Sequence, residues 1–273
     1  MNAPGGGHAD SSMQAPAAET ASGLTGDVLK FALLSDIHGN LAALEAVVRD
    51  ARTRGVDMFV NLGDSVSGPL LPLETARYLM AQDWLHLAGN HERQLLTHAA
   101  GRRSHADAFA YDRLGAAELA WLASLEPVRM WSDDILLCHG TPGSDTGYFL
   151  ESVDAAGMRA ATPEEVEQRM GPARAALVAC GHTHLPRIVR TRRGQLIVNP
   201  GSVGLQAYDD VHPLPHKVET GAPDARYAVL ERWNGVWRAA LLAVPYDHRA
   251  MAALAARNGR PDWETALLTG YIT

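Results

Sequence analysis

The sequence is short of cysteine, of lysine and of long apolar runs. Only Cys138 and Cys180 occur among 273 residues, which excludes a disulfide-built scaffold and a thiolate-rich structural zinc site. In a reducing compartment two such residues read as packed thiols. Lys30 and Lys217 are the only lysines, so nearly all the positive charge is arginine, a bias of composition and not a site. No apolar stretch approaches the roughly 20 residues that span a bilayer. The first residues lack the basic start and continuous apolar core of a secretory signal, and a cytoplasmic location is expected. The formal net charge of −7 argues against a general nucleic-acid-binding surface. No stable nucleic-acid complex is expected, although a nucleotide can still meet a locally positive metal site.

What is present is an ordinary globular composition, 47% hydrophobic and 20% charged, with enough chain for one large core. Residues 1–27, rich in Ala, Gly, Ser and Pro, predict a disordered tail, and 28–273 a single domain ending in a helical tail from about His248. After an apolar run at Phe31–Leu34, Asn40 is placed to cap a helix with the face Leu41, Leu44, Val47, Val48 and Ala51, ended by Gly55. A strand near Val56–Leu62, a helix near Leu73–Ala81 started by Pro72, and a strand at Trp84–Ala88 complete a βαβαβ pattern, which predicts a parallel sheet. The stretch from His91 to about Leu125 reads as helical, with His98 and His105 on solvated faces. Later strands are short: Val128–Trp131, Ile135–Cys138, Leu177–Cys180, Pro186–Arg190, Leu196–Val198, Arg226–Leu230 and Val236–Leu242, with a helix at Pro163–Met170. They predict a second, mixed or antiparallel sheet packed on the first. Arg192-Arg193-Gly194 and Asn234-Gly235 look like hairpin turns, the latter flanked by Trp233 and Trp237 as packing residues.

Five of the apolar runs end in metal-ligand chemistry beside a glycine. The first leads into Asp36-Ile37-His38-Gly39, where a carboxylate and an imidazole two residues apart can grip one cation. The others lead into Gly63-Asp64, Gly89-Asn90-His91, His139-Gly140 and Gly181-His182-Thr183-His184. Carboxylates, an amide oxygen and imidazoles in this number exceed one tetrahedral zinc, and the mix of N and O donors suits Mn, Fe, Zn, Ni or Co better than Mg or Ca. Two metals sharing one carboxylate is the economical arrangement.

This series, Asp36-Ile37-His38, Gly63-Asp64, Gly89-Asn90-His91-Glu92, His139-Gly140 and Gly181-His182-Thr183-His184, resembles the calcineurin-like metallophosphoesterase superfamily, most of all its compact bacterial branch. The resemblance covers about Lys30 to Leu242. It implies an α/β fold, a four-layer α/β/β/α sandwich of two mixed sheets with a dinuclear metal site at the strand C-terminal ends. It also implies two divalent transition-metal ions, with manganese the first choice. Asp36, His38, Asp64 and His184 would hold one ion and Asp64, Asn90, His139 and His182 the other, Asp64 bridging. The implied activity is phosphoric ester hydrolysis by a hydroxide held between the metals. His91 would act on the transition state or the leaving oxygen, and Glu92 would orient His91 or simply favour the start of the following helix.

Asp64 is followed by Ser65-Val66-Ser67-Gly68-Pro69, without the arginine that protein phosphatases of the superfamily carry there. The expected substrate is therefore a small phosphodiester or nucleotide. A phosphomonoesterase, a protein phosphatase and a non-catalytic scaffold are the alternatives, and an oligomer is left open. In Asn199-Pro200-Gly201-Ser202, Asn199 and Ser202 either position ligands and phosphate or close a tight turn. Residues 205–224 lack periodicity and are expected to form a loop over the site. Its Tyr208, stacking on a base, and His212 and His216 would then contact substrate, the alternative being a solvated loop.

Overall fold

The computed structural model describes Met1 and residues 29–272, so the expected N-terminal tail lies outside the described residues apart from Met1. The chain runs β1 (Lys30–Leu34), α1 (Leu41–Thr53), β2 (Phe59–Asn61), α2 (Pro72–Met80), β3 (Leu85–His86) and α3 (Asn90–Thr97). A short 3₁₀ turn (Ala100–Arg102) precedes α4 (His105–Tyr111), α5 (Ala116–Ala123), β4 (Val128–Ser132) and β5 (Ile135–Cys138). Then come β6 (Glu151–Asp154), β7 (Gly157–Ala160), α6 (Pro163–Met170), β8 (Leu177–Ala179), β9 (Arg187–Arg190) and β10 (Leu196–Asn199). The last elements are β11 (Ala207–Asp210), β12 (His216–Glu219), β13 (Ala225–Trp233), β14 (Val236–Val244), α7 (His248–Arg257) and α8 (Pro261–Thr269).

Two five-stranded mixed sheets result, one ordered β14-β13-β1-β2-β3 and the other β4-β5-β8-β10-β9. In the first, β1, β2 and β3 are parallel, and in the second β5, β8 and β10 are. The period-2 alternation of each central strand assembles four layers. Phe31 and Leu33 of β1 pack between the sheets against Ile135, Leu137, Leu177, Ala179, Leu196 and Val198. Their neighbours Ala32 and Leu34 face the other way, onto the apolar face of α1. Leu136, Cys138, Val178, Cys180 and Ile197 cover the far side of the second sheet and meet Val166 and Met170 of α6. Both cysteines are buried free thiols.

Local chemistry sets the boundaries. The Asn40 side chain accepts from Ala43 N (3.2 Å) and so caps α1, while Pro72 and Pro163 occupy the first turns of their helices, where a missing N–H costs nothing. Four expectations need correction. The Arg226–Leu230 and Val236–Leu242 strands do not join the second sheet: β13 lies antiparallel to β1, with Ala32 opposite Val229, and extends the first. The stretch 91–125 is broken, because Ser104 and Gly115 start fresh helices. Residues 205–224 are not an irregular loop, since Ala207–Asp210 pairs with His216–Glu219 as a hairpin; β6 and β7 form another. Trp233 is 50% exposed, with Arg238 over its ring, whereas Trp237 is buried as expected.

Candidate metal centre

The parallel strands of both sheets deliver their ends to one place. Beyond β1 and β2 the two loops are laced by Asp36 N to Gly63 O (3.0 Å) and His38 N to Asp64 O (2.9 Å). Asp36, His38, Asp64, His182 and His184 all adopt positive φ, between 51° and 66°. Such backbone costs of order 1 to 3 kcal/mol per residue, and it persists only where the surroundings over-determine it. Here it turns five donor side chains inward, and with His139 they form two groups, in each of which the ligand atoms lie within 4.8 Å of one another: Asp36, His38 and His184, and Asp64, His139 and His182.

Each imidazole is oriented by a carbonyl behind it. His38, His184 and His139 donate from Nδ1 to Ser67 O (2.7 Å), Leu205 O (2.8 Å) and Leu62 O (3.0 Å), which leaves Nε2 of each facing the centre. His182 is reversed, with Nε2 to Thr146 O (3.1 Å) and Nδ1 free. The lone pairs so presented crowd together, His38 Nε2 lying 3.1 Å from His184 Nε2. Asp36 Oδ1 and Asn90 Oδ1 are buried without a hydrogen-bond partner, and His139 Nε2 lies 3.1 Å from Asp64 Oδ2. Unpartnered buried oxygens are costly in a native protein, and these converge where cations would satisfy them. Burial, reinforced by neighbouring imidazoles, holds His38 and His182 down to about 4, so both are neutral and able to ligate. His139 is affected oppositely: burial is outweighed by Asp64 and Asp36, which hold it up at about 10. Two buried carboxylates thus demand positive charge between them, and the donor set fits a pair of divalent ions.

His91 sits beside this cluster and is half-buried. Its backbone N donates to Asp64 Oδ1 (2.9 Å), and its Nδ1 lies 2.7 Å from Asp107 Oδ1. Burial would lower its pKa, but the carboxylates of Asp64 and Asp107 outweigh it and raise it to about 9. Asp107 was not visible as a site residue in the sequence. It lies in α4, 16 positions beyond His91, and is fixed by Ser67 Oγ (2.6 Å) and Ser104 Oγ (2.7 Å); Ser104-x-x-Asp107 at a helix start is the only local trace of it. Glu92 does not orient His91. Its carboxylate accepts from Gly89 N, Asp64 N and Ser65 N at 2.7 to 2.8 Å, which both caps α3 and pins the Asp64 loop.

The cluster opens into a cavity of about 1640 Å³, lined by His38, Asp64, Asn90, His91, His182 and His184 near the centre. Tyr208 and His212 reach it from the β11–β12 hairpin, and so do His98 and His105, read from the sequence as solvated helix faces. The Tyr208 ring meets His184 edge-on (4.8 Å between centroids), and its hydroxyl lies 3.2 Å from that of Tyr148. His216 supports this pair from behind, 2.9 Å from the Tyr148 hydroxyl. Asn199 and Ser202 do not reach the cavity. Both are buried, Asn199 donating to Gly181 O (2.8 Å) and Ser202 Oγ to Asp36 O (2.7 Å), so they brace ligand loops and cannot touch substrate.

Residues 29–219 match the family described as the calcineurin-like phosphoesterase superfamily domain. That segment is most of the chain. The chain belongs to the calcineurin-like phosphoesterase superfamily. It is 24% identical over 253 residues to the uncharacterised protein MJ0912 of Methanocaldococcus jannaschii, covering 85% of this chain and 94% of that one. Its fold is similar to a metallophosphoesterase of Sphaerobacter thermophilus, with TM-score 0.70 and 23% identity over 89% of this chain and 100% of the other. It is also similar to hypothetical protein PH1004 of Pyrococcus horikoshii, with TM-score 0.67 and 15% identity over 89% and 99% of the two chains. A calcineurin-like phosphoesterase is a metal-dependent hydrolase of phosphoric esters, and this chain carries two clustered groups of candidate metal ligands. No helix among the described residues is long and apolar enough to cross a membrane.

Proposed function

We propose that this calcineurin-like phosphoesterase uses two cations to hydrolyse a small phosphodiester or a nucleotide in the cytoplasm. In this reading Asp36, His38, Asp64 and His184 would hold one ion and Asp64, Asn90, His139 and His182 the other, with Asp64 common to both sets. Manganese is the first choice, with Fe, Zn, Ni and Co compatible with the same donors. When bound, such a pair activates water and draws charge from the phosphoryl oxygens. The protein's own groups do the rest. Carbonyls of Ser67, Leu62, Leu205 and Thr146 fix the tautomers of the four ligand histidines. Protonated His91, aligned by Asp107, is placed to hand its proton to the leaving oxygen.

The observation that carries this reading is the convergence of two donor triads with unpartnered Asp36 Oδ1 and Asn90 Oδ1 beside a His91–Asp107 pair. A scaffold needs no such pair, which holds no metal and faces the cavity. The space favours a diester: about 1640 Å³ exceeds the ~300–1,000 Å³ of ordinary small-molecule clefts and leaves room for substituents on both sides of phosphorus. A chromogenic diester, bis(p-nitrophenyl) phosphate, tested beside p-nitrophenyl phosphate with manganese or with chelator, decides it. Manganese-dependent turnover with the diester preferred is expected. Turnover unaffected by chelation would overturn the metal reading, and a monoester preference would overturn the substrate class.

A further inference from the structure

The cavity extends well beyond the metal cluster, and the wall it extends along is basic in an acidic protein. From Arg93 to Ala106 the chain holds three arginines and two histidines and no carboxylate. His91, Gln94 and His98 follow the spacing of one helical stripe along α3, and all three line the cavity. Seven residues of helix carry that stripe about 10 Å away from His91. There the 3₁₀ turn brings in Arg102, and the start of α4 brings His105 and Arg103, all lining the same space. Arg103 is already committed, donating to Leu95 O (2.9 Å) and lying 3.5 Å over the Tyr111 ring. Arg102 is exposed and has no carboxylate within ion-pair distance among the described residues. By contrast Arg93, one helix turn before Thr97, is clamped to Asp145. Asp107 of α4 is the carboxylate on this wall, and it is committed to His91, Ser67 and Ser104. Glu151 and Glu165, which also line the cavity, pair with Arg187 and Arg159, and Asp209, Asp210 and Asp262 belong to a different wall, built by β11 and α8.

The geometry points to a second anion subsite, formed by Arg102 with His98 and His105, that holds a phosphate separated from the scissile one by a spacer the size of a nucleoside. The preferred substrate is then a bisphosphorylated ester, one phosphate at the metals and the other on the α3–α4 wall. A guanidinium with no internal partner gains charge-assisted hydrogen bonds from a phosphate without breaking any existing pair. Imidazole N–H groups beside it add donors whichever tautomer they adopt. Asp262 of α8 is paired with Arg260, whereas Asp209 and Asp210 of β11 repel the same group, so the substrate is oriented by charge as well as held. This assignment deepens the phosphoesterase reading and rests on it for the position of the scissile phosphate.

Two matched pairs of ligands test it on the metal-loaded full chain. The first compares kcat/KM for thymidine 3′-phosphate 5′-(p-nitrophenyl phosphate) with that for thymidine 5′-(p-nitrophenyl phosphate), which lacks only the second phosphate. The second compares the affinity of thymidine 3′,5′-bisphosphate with that of thymidine 5′-monophosphate by calorimetry, in a His91→Ala background that slows turnover. The second phosphate should improve both quantities tenfold or more. Arg102→Ala combined with His98→Ala should bring both ratios close to one, Arg102→Lys should keep part of the preference, and Arg174→Ala, outside the cavity, should keep all of it. Equal kcat/KM and equal affinity within each pair, or a preference that survives the double substitution, would overturn the subsite. If no ester is turned over while the affinity preference behaves as stated, the subsite stands and the hydrolytic reading falls.

Discussion

Five donor residues on left-handed backbone, packed against two fully buried glycine-rich turns, leave almost no freedom at the centre. A β-carbon on Gly89 would lie 2.2 Å from Asp64 Oδ1, and one on Gly181 would lie 1.9 Å from Ser35 Oγ. Gly89→Ala must therefore displace the Asp64 carboxylate, and metal analysis should find at least one ion lost while circular dichroism remains native. Retention of both ions would show that the Asp64 loop can yield. His91 calls for the opposite expectation, because its hydrogen bond to Asp64 is made by the backbone N, which an alanine keeps, and its ring is bonded to Asp107. His91→Ala should lower kcat by roughly 10²–10⁴ with metal content unchanged, and Asp107→Asn should lower kcat by less, with KM preserved. A KM effect alone would move the pair from proton transfer to substrate binding. The candidate ligands, which the fold clusters, were legible because each ends an apolar run beside a glycine, a pattern confined to a few neighbouring residues. Asp107 was not, since its partner is brought to it only by the folding of α3 against α4. Asn199 and Ser202 were legible as site-adjacent, but burial decides that they serve the loops.

Among the elements, the strands of the first half were readable as apolar runs and their parallel sense from the βαβαβ pattern. Placement of β13 and β14 was not, since an antiparallel strand pairs with either sheet equally well in local pattern and only the register with β1 chooses. The two hairpins β6–β7 and β11–β12 escaped notice because four-residue strands carry too few alternations to stand out. One strand carries a pH-dependent liability. His86 ends β3 with its Nε2 buried and unpartnered, and burial lowers its pKa to about 4. The unfolded chain, with an ordinary histidine near 6.5, binds more protons between these values. Stability from this residue is thus complete above about pH 6.5 and is lost as pH falls toward 4, by about 3 kcal/mol. Urea unfolding at pH 7 and pH 4.5 should show a loss smaller by roughly 2 kcal/mol in His86→Leu than in the parent chain. Equal losses would place the acid sensitivity elsewhere.

For the molecule as a whole, net charge and composition said little about the site, and the family resemblance supplied the layers that periodicity alone could not order. The matched segment ends at residue 219, yet the chain beyond it completes the first sheet through β13 and β14 and walls the cavity through Trp263 of α8. The Trp263 ring lies 5.9 Å from that of His38. The central claim is that seven side chains, on loops from both sheets, hold two ions that share Asp64. Counting manganese per chain by mass spectrometry after reconstitution and dialysis tests it most directly. The account requires two ions per chain in the parent protein and fewer in Asp64→Asn. A single ion per chain, or an unchanged count in Asp64→Asn, would contradict it.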